Sequence, residues 1–233
     1  MGFRMFKELL TIFNKDTLLD RAYKRSYEMI DITSKMFREI QKRLREDGTY
    51  KLSFDVRDQD IAVNKYEREV RRNVFNHLCV AGLEDLNSGL VLVSIIIDLE
   101  RVGDYTKNMV ELAESHPSTL KGGKYEEDLK KIESAVADTF ERVRIAFESA
   151  NKAEAELLLD EYKWVNKLCD SHVNDYLNEK DTTLSAGDVV ALTLYFRYLK
   201  RINSHLRNVA TSVVNPFHRI GFGMKKKNKS INN

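Results

Sequence analysis

Apolar residues recur along almost the whole chain at the three-and-four spacing of a helix that buries one face. Tyr23, Ile30, Phe37 and Leu44 fall seven apart, and Leu19, Thr33 and Ile40 fill the alternate positions of the same stripe. Such a seam predicts a long helix packed nearly parallel to its neighbours, ended by Gly48-Thr49-Tyr50. Val63, Tyr66, Val70, Val74 and Leu78 predict a second helix over 58–81, broken by Gly82, and a third follows over 85–115. His116-Pro117-Ser118 and Lys121-Gly122-Gly123 then interrupt the pattern, the clearest boundary in the chain. Beyond it, Leu129, Ile132, Val136, Val143 and Phe147 define a fourth helix, and Leu158, Val165, Leu168 and Tyr176 a fifth. A sixth spans 185–214 and is stopped by Pro216.

Long helices joined by short turns pack as antiparallel neighbours. The two halves also match in residues: Leu99, Arg101, Val102 and Asn108 return as Leu199, Arg201, Ile202 and Asn208, with the preceding apolar stretches in register and a proline after each helix. Self-similarity of this kind marks a duplicated helical unit. The expected fold is therefore all-α, two tandem three-helix bundles packed side by side with up-down helices. The first repeat occupies 1–118 with an N-terminal amphipathic segment, the second 119–216, and a basic tail 217–233.

Composition supports that reading and removes several functions. Two prolines and ten glycines are too few for a loop-rich or all-β chain, and 32 % charged with 42 % hydrophobic residues suits amphipathic helices. Lys+Arg (38) and Asp+Glu (36) nearly cancel, so charge makes no case for nucleic acid. Cys79 and Cys169 each stand alone among apolar residues, which reads as two reduced, buried thiols. The longest apolar run, Leu90 to Ile97, is far short of the ~20 residues of a membrane span. A charged N-terminal stretch excludes a signal peptide, and the chain reads as cytoplasmic.

Chemistry-bearing residues concentrate on the third helix. Leu99-Glu100-Arg101-Val102-Gly103-Asp104 is followed by Asn108, and the four-residue spacing of Glu100, Asp104 and Asn108 puts them on one face. The core-like Ile95 to Ile97 just before them place that face near the packed interior or its rim. Carboxylates there need cations or a metal. The bland alternative is a solvated acidic face paired internally, with Arg101 the obvious partner.

This segment resembles the signature of the PhoU family, whose repeats each carry Leu-Glu-Arg-Ile-Gly-Asp followed by Asn. Asp60, Asn64 and Glu67, in Asp-Ile-Ala-Val-Asn-Lys-Tyr-Glu, resemble the family's acidic run on the preceding helix. The resemblance covers the architecture from about residue 16 to 216, and specific residues in helices two, three and six. It implies two three-helix bundles, a regulator rather than an enzyme, and a divalent or iron metal ion held by acidic pairs. By the same resemblance, Asp60 and Asn64 face Glu100 and Asp104 across helices two and three, with Glu67 and Asn108 beside them. Oxygen ligands from facing helices suit a hard cation.

In the second repeat, Lys200 and Ser204 stand where Glu100 and Asp104 do, Asn203 matches Gly103, and Tyr162 matches Asp60 when Asn166 is set against Asn64. A lysine in a ligand position repels a cation, so any metal belongs to the first repeat only. Arg101 and Arg201 are kept in both halves, either as structural ion pairs bracing each bundle or as partner or anion contacts at the rim. The five histidines are scattered without zinc spacing and read as ordinary. No phosphate-cradling glycine loop, nucleophilic serine context or Glu-x-x-His pair is present. Phe3 to Phe13 form a short amphipathic helix, packed on its own bundle or lying on a membrane surface. Lys225, Lys226, Lys227 and Lys229 make a basic end, either solvated or in contact with anionic lipid.

The expected function is a cytoplasmic, PhoU-like regulator of phosphate uptake or signalling, peripheral to the membrane's inner face. Its partners would be a phosphate transporter subunit or sensor kinase, with no nucleic acid and with a homodimer left open. Two alternatives remain at this point: a metalloenzyme using Glu100, Asp104 and Asp60, and a helical adaptor serving another membrane transporter.

Overall fold

The computed structural model describes residues 17–223 other than Gly82 and Pro117. The segment Phe3–Phe13 and the lysines Lys225, Lys226, Lys227 and Lys229 lie outside the described residues. Seven α-helices and no strand occur among the described residues: α1 (Leu18–Arg45), α2 (Val56–Ala81), α3 (Leu86–Ser115), α4 (Glu126–Glu148), α5 (Lys152–Glu161), α6 (Val165–Leu177) and α7 (Ala186–Val214).

Local chemistry sets where these helices start. Thr17 and Asp20 form a capping box at α1, the Asp20 amide donating to Thr17 Oγ1 (3.1 Å) and the Thr17 amide to Asp20 Oδ2 (2.8 Å). Ser185 caps α7 in the same manner, accepting from the Asp188 amide at 3.2 Å, and Asn151 caps α5. Between the repeats, Gly123 takes a positive φ of 56°, and a Cβ there would stand 2.6 Å from Asp181 Oδ2. Only glycine fits that corner.

The fifth predicted helix is in fact two, α5 and α6, separated by a turn at 162–164. Leu158, Val165, Cys169 and Tyr176 are all buried, so the apolar register runs straight through the break and hides it. Tertiary contacts hold the turn. The Tyr162 hydroxyl donates to Asp138 Oδ2 of α4 (2.7 Å), and Arg207 of α7 donates to the Leu159 carbonyl at the end of α5 (2.8 Å).

Within the first repeat α1, α2 and α3 all touch one another, and within the second α4 and α7 touch each other and each touches both α5 and α6. The repeats meet along two antiparallel seams. α3 runs against α7, since Asp98 meets His205 and Asn208, Tyr105 meets Tyr198, and His116 at the end of α3 meets Asp188 at the start of α7. α1 runs against α4, with Phe37 on Phe140 (5.4 Å between ring centres) and Tyr27 on Phe147 (5.3 Å). The four seam helices form the middle of the molecule, leaving α2 on one flank and α5–α6 on the other.

A helix touching both its own repeat and the other must be apolar over more than one stripe. α3 and α7 show this at matching positions a hundred residues apart. Ile95 and Ile96 are buried as Tyr195 and Phe196 are, Leu99 as Leu199, and Met109 and Val110 as Val209 and Ala210. The core is one continuous apolar cluster across both repeats. Cys169 belongs to it, whereas Cys79 is exposed near the end of α2, contrary to its expected burial. Val74 is the last residue of α2 to be buried, and beyond it the stripe continues only through the half-buried Leu78.

The acidic face of the first repeat

α2 approaches α3 closely because Gly103 has no side chain: a Cβ there would lie 3.1 Å from Val63 Cγ1. That approach brings Asp60 and Glu67 of α2 near enough to Glu100 of α3 for their charges to act on its carboxyl. Most of these groups already have partners. Arg101 Nη1 bonds Asp104 Oδ2 at 2.9 Å and its Nε lies 3.5 Å from Glu100 Oε2. Lys107 Nζ reaches Asp60 Oδ1 at 3.4 Å, and Arg71 pairs with Glu67 at 2.7 Å. Asn64 donates its amide to the Asp60 carbonyl (2.9 Å) along its own helix.

Glu100 carries the mark of the cluster. Burial first, then the Asp104 charge, hold its carboxyl above the usual range; Arg101 opposes this, and Glu67 and Asp60 add to it. The field of three other carboxylates thus converges on one half-buried acid. Their oxygens are the donor type that a hard divalent cation takes. Yet among the described residues no three His, Cys, Asp or Glu side chains converge as a ready ligand set. A cation would have to replace Lys107 and Arg101 as the charge partner of this face.

The second repeat has replaced charge with neutral hydrogen bonding. Asn166 donates to Ser204 Oγ (2.9 Å) and accepts from Asn203 (2.9 Å), while Lys200 binds both oxygens of Asp170 at 2.6 Å. Asn203 is fully buried where the first repeat has Gly103, so here a side chain rather than a close backbone approach joins the two helices. The two conserved-looking arginines also part company. Arg101 is an internal ion-pair partner, but Arg201 is exposed and forms no ion pair among the described residues. The bracing expected of Arg201 is therefore absent, because α7 presents Lys200 and Ser204 beside it in place of acids.

Residues 26–113, which hold this acidic face, match the family model described as the PhoU domain. The match lies within the first repeat, while structural likeness to PhoU proteins extends across both. PhoU from Pseudomonas aeruginosa superposes with a TM-score of 0.75 at 21 % identity, covering 84 % of this chain and 95 % of that one. The phosphate transport system regulatory protein PhoU from Streptococcus pneumoniae gives 0.66 at 15 % identity, covering 84 % and 91 %. No curated protein matches the chain in sequence comparison. The all-α, PhoU-like fold expected from the sequence is thus the observed one.

Two polar networks outside the PhoU signature escaped the sequence reading. Arg45 and Glu133, almost fully buried, join α1 to α4 at 2.9 Å, and the Tyr195 hydroxyl of α7 donates to the same Glu133 oxygen at 2.7 Å. On the other seam, His205 Nδ1 lies 2.8 Å from Asp98 Oδ1, which also accepts from Asn208 at 2.9 Å. A charged residue inside an apolar stripe, as at Ile132-Glu133, is the signal for the first. The second has none, since its members lie 107 and 110 positions apart.

Proposed function

We propose that this chain is a non-catalytic regulator of phosphate uptake that acts by protein–protein contact on the cytoplasmic side of the membrane. The observation that carries the reading is the PhoU-domain match over residues 26–113, which contain the Leu99–Asp104 signature. The solved relative that is itself a phosphate transport regulator shares the fold over most of its length. No helix among the described residues is long and apolar enough to cross a membrane.

The contact surface would be the α2–α3 tip. Phe75 (68 % exposed), Val80 (89 %) and Leu83 (82 %) are large apolar side chains left open at that end of the first repeat. Exposed apolar groups gathered on one end of a soluble-looking bundle suit a protein partner. Partners of the expected kind are a phosphate transporter's ATPase subunit or a sensor kinase. A divalent cation would be held by Glu100 and Asp104 with Asp60, and would serve to neutralise the acidic face rather than to activate a substrate.

Co-purification tests this directly. The tagged chain should retain a transporter ATPase or sensor kinase, and Val80→Glu with Leu83→Glu should abolish retention while helicity is unchanged. Failure to retain either partner at both high and low phosphate refutes the reading. Metal content of the purified protein should fall to background in Glu100→Gln/Asp104→Asn.

A further inference from the structure

At the matching positions of the second repeat the acids are gone, and beside the neutral Asn166–Ser204–Asn203 network stand two cations, Lys200 and Arg207. In the first repeat Lys107 is neutralised by Asp60 at 3.4 Å. A hundred residues on, Lys107 becomes Arg207, while Asp60, Glu100 and Asp104 become Tyr162, Lys200 and Ser204. Lys200 recovers a partner in Asp170, but Arg207 finds none among the described residues. Among the described residues Asp160 is the carboxylate whose field reaches Arg207, and Asp160 is itself bound to Lys163 at 2.8 Å. Burial accordingly pushes the guanidinium below its usual range, the direction of a cation short of compensating charge.

Arg207 has a structural task that uses only part of it. Nη2 donates to the Leu159 carbonyl at 2.8 Å, and Nη1 reaches the Leu158 carbonyl at 3.5 Å, closing the last turn of α5. The remaining N–H donors of its fork are uncommitted. The side chain lines a cleft of about 320 Å³ between α6, α7 and the 217–223 segment. Asn166, Ser204, Asn208 and Thr211 supply the other polar walls, and no carboxylate lines it. α6 begins beside Asn166 with no side chain capping its N-terminus, so its first amides add positive potential at the same place.

We infer that this cleft binds a tetrahedral oxyanion of the phosphate class, with the Arg207 fork as its charge partner. A guanidinium fork matches two phosphate oxygens, and the second N–H of the Asn166 and Asn208 amides is left to reach the others, since the Ser204 and Thr211 hydroxyls already donate to backbone carbonyls. The cleft is roomy enough for inorganic phosphate with bridging waters or for the phosphate end of a phosphorylated metabolite. The first repeat's cation-type face and the second repeat's anion-type cleft are thus opposite outcomes of one duplicated frame. This inference stands apart from the choice of protein partner, because it is tested on the isolated full chain.

Isothermal titration in phosphate-free buffer, with inorganic phosphate and separately with ADP, provides the test. Saturable binding of one anion per chain is expected, weakened at least tenfold by Arg207→Met. Ser204→Asp, which returns the first repeat's carboxylate to the cleft, should weaken it as much. Glu100→Gln/Asp104→Asn should leave it unchanged. Saturation by phosphate alone identifies the free ion as the ligand, and tighter binding of ADP identifies a phosphorylated metabolite. If Arg207→Met unfolds through loss of the α5 carbonyl contacts, Ser204→Asp decides the matter alone. Absence of binding by both ligands, or binding that survives Ser204→Asp, overturns the inference.

Discussion

Replacing Arg45 by methionine should be among the most damaging single changes in this protein. The Arg45 side chain is 7 % exposed and that of Glu133 4 %. Arg45 binds Glu133 (2.9 Å), Glu126 (2.5 Å) and the Leu120 carbonyl of the inter-repeat linker. Methionine preserves most of the stem volume but strands Glu133 with only the Tyr195 hydroxyl. Breaking a buried ion pair on one side costs about 3–5 kcal/mol. For a chain of this size, each kcal/mol moves Tm by roughly 2–4 °C, so a fall of ~6–20 °C is expected. Burial already holds the Glu133 carboxyl above its usual range against the pull of Arg45. Without that pull it rises further, and the folded chain then binds a proton that the unfolded chain releases. The penalty is therefore greatest at high pH and shrinks as pH falls through the raised value. Glu133→Gln removes the stranded charge and retains an acceptor for Tyr195, so the double variant should recover much of the loss. Urea and thermal unfolding of the wild type, both single variants and the double at pH 5, 7 and 9 measure this coupling. A loss under ~1 kcal/mol that is independent of pH and not relieved by Glu133→Gln would refute the account.

Three further outcomes follow from other places in the fold. Asp98→Asn removes the charge that receives His205 and Asn208 across the α3–α7 seam, and should cost about 1–3 kcal/mol in urea unfolding; an unchanged midpoint would show that apolar packing alone holds that seam. His172 is buried against Tyr125 (4.3 Å) and Phe196 (5.3 Å), and Asp128 Oδ2 lies 3.1 Å from Nε2 but off the hydrogen-bonding direction. Burial lowers its pKa despite Asp128, so the unfolded chain takes up the extra proton and stability declines below about pH 6.5. His172→Phe should flatten that acid limb, and an identical pH profile for the variant would count against it. Finally, the Cys169 thiol is pushed up to about 12 by burial while Cys79 is exposed. A thiol reagent at pH 8 should therefore modify one cysteine in the folded chain and two after denaturation.

Much of this architecture was legible before any coordinates. Apolar spacing located the long helices to within a few residues, because a helix that buries one face must repeat every three or four positions whatever it packs against. The duplicated Leu-x-Arg pattern pointed to a repeat, and Leu99 with Leu199 and Ile96 with Phe196 are buried alike. Spacing also put Glu100 and Asp104 on one face and showed that their counterparts Lys200 and Ser204 had lost the acidic chemistry. The break between α5 and α6 was not legible, since its apolar register is unbroken and the contacts that hold it come from Asp138 and Arg207. Nor was the exposure of Cys79, which depends on how far the α3 surface extends along α2.

The acidic face itself divides along the same line. Sequence alone determined which side chains share each helix face, for that is a property of helical pitch. Only tertiary structure decided what neutralises them: Lys107 on Asp60, Arg71 on Glu67 and Arg101 on Asp104 in one half, Asp170 on Lys200 in the other. It also decided that the half-buried Arg207, like the exposed Arg201, meets no acid among the described residues. Charge compensation is a matter of distance in space and of burial, and neither is encoded in the period of a single helix.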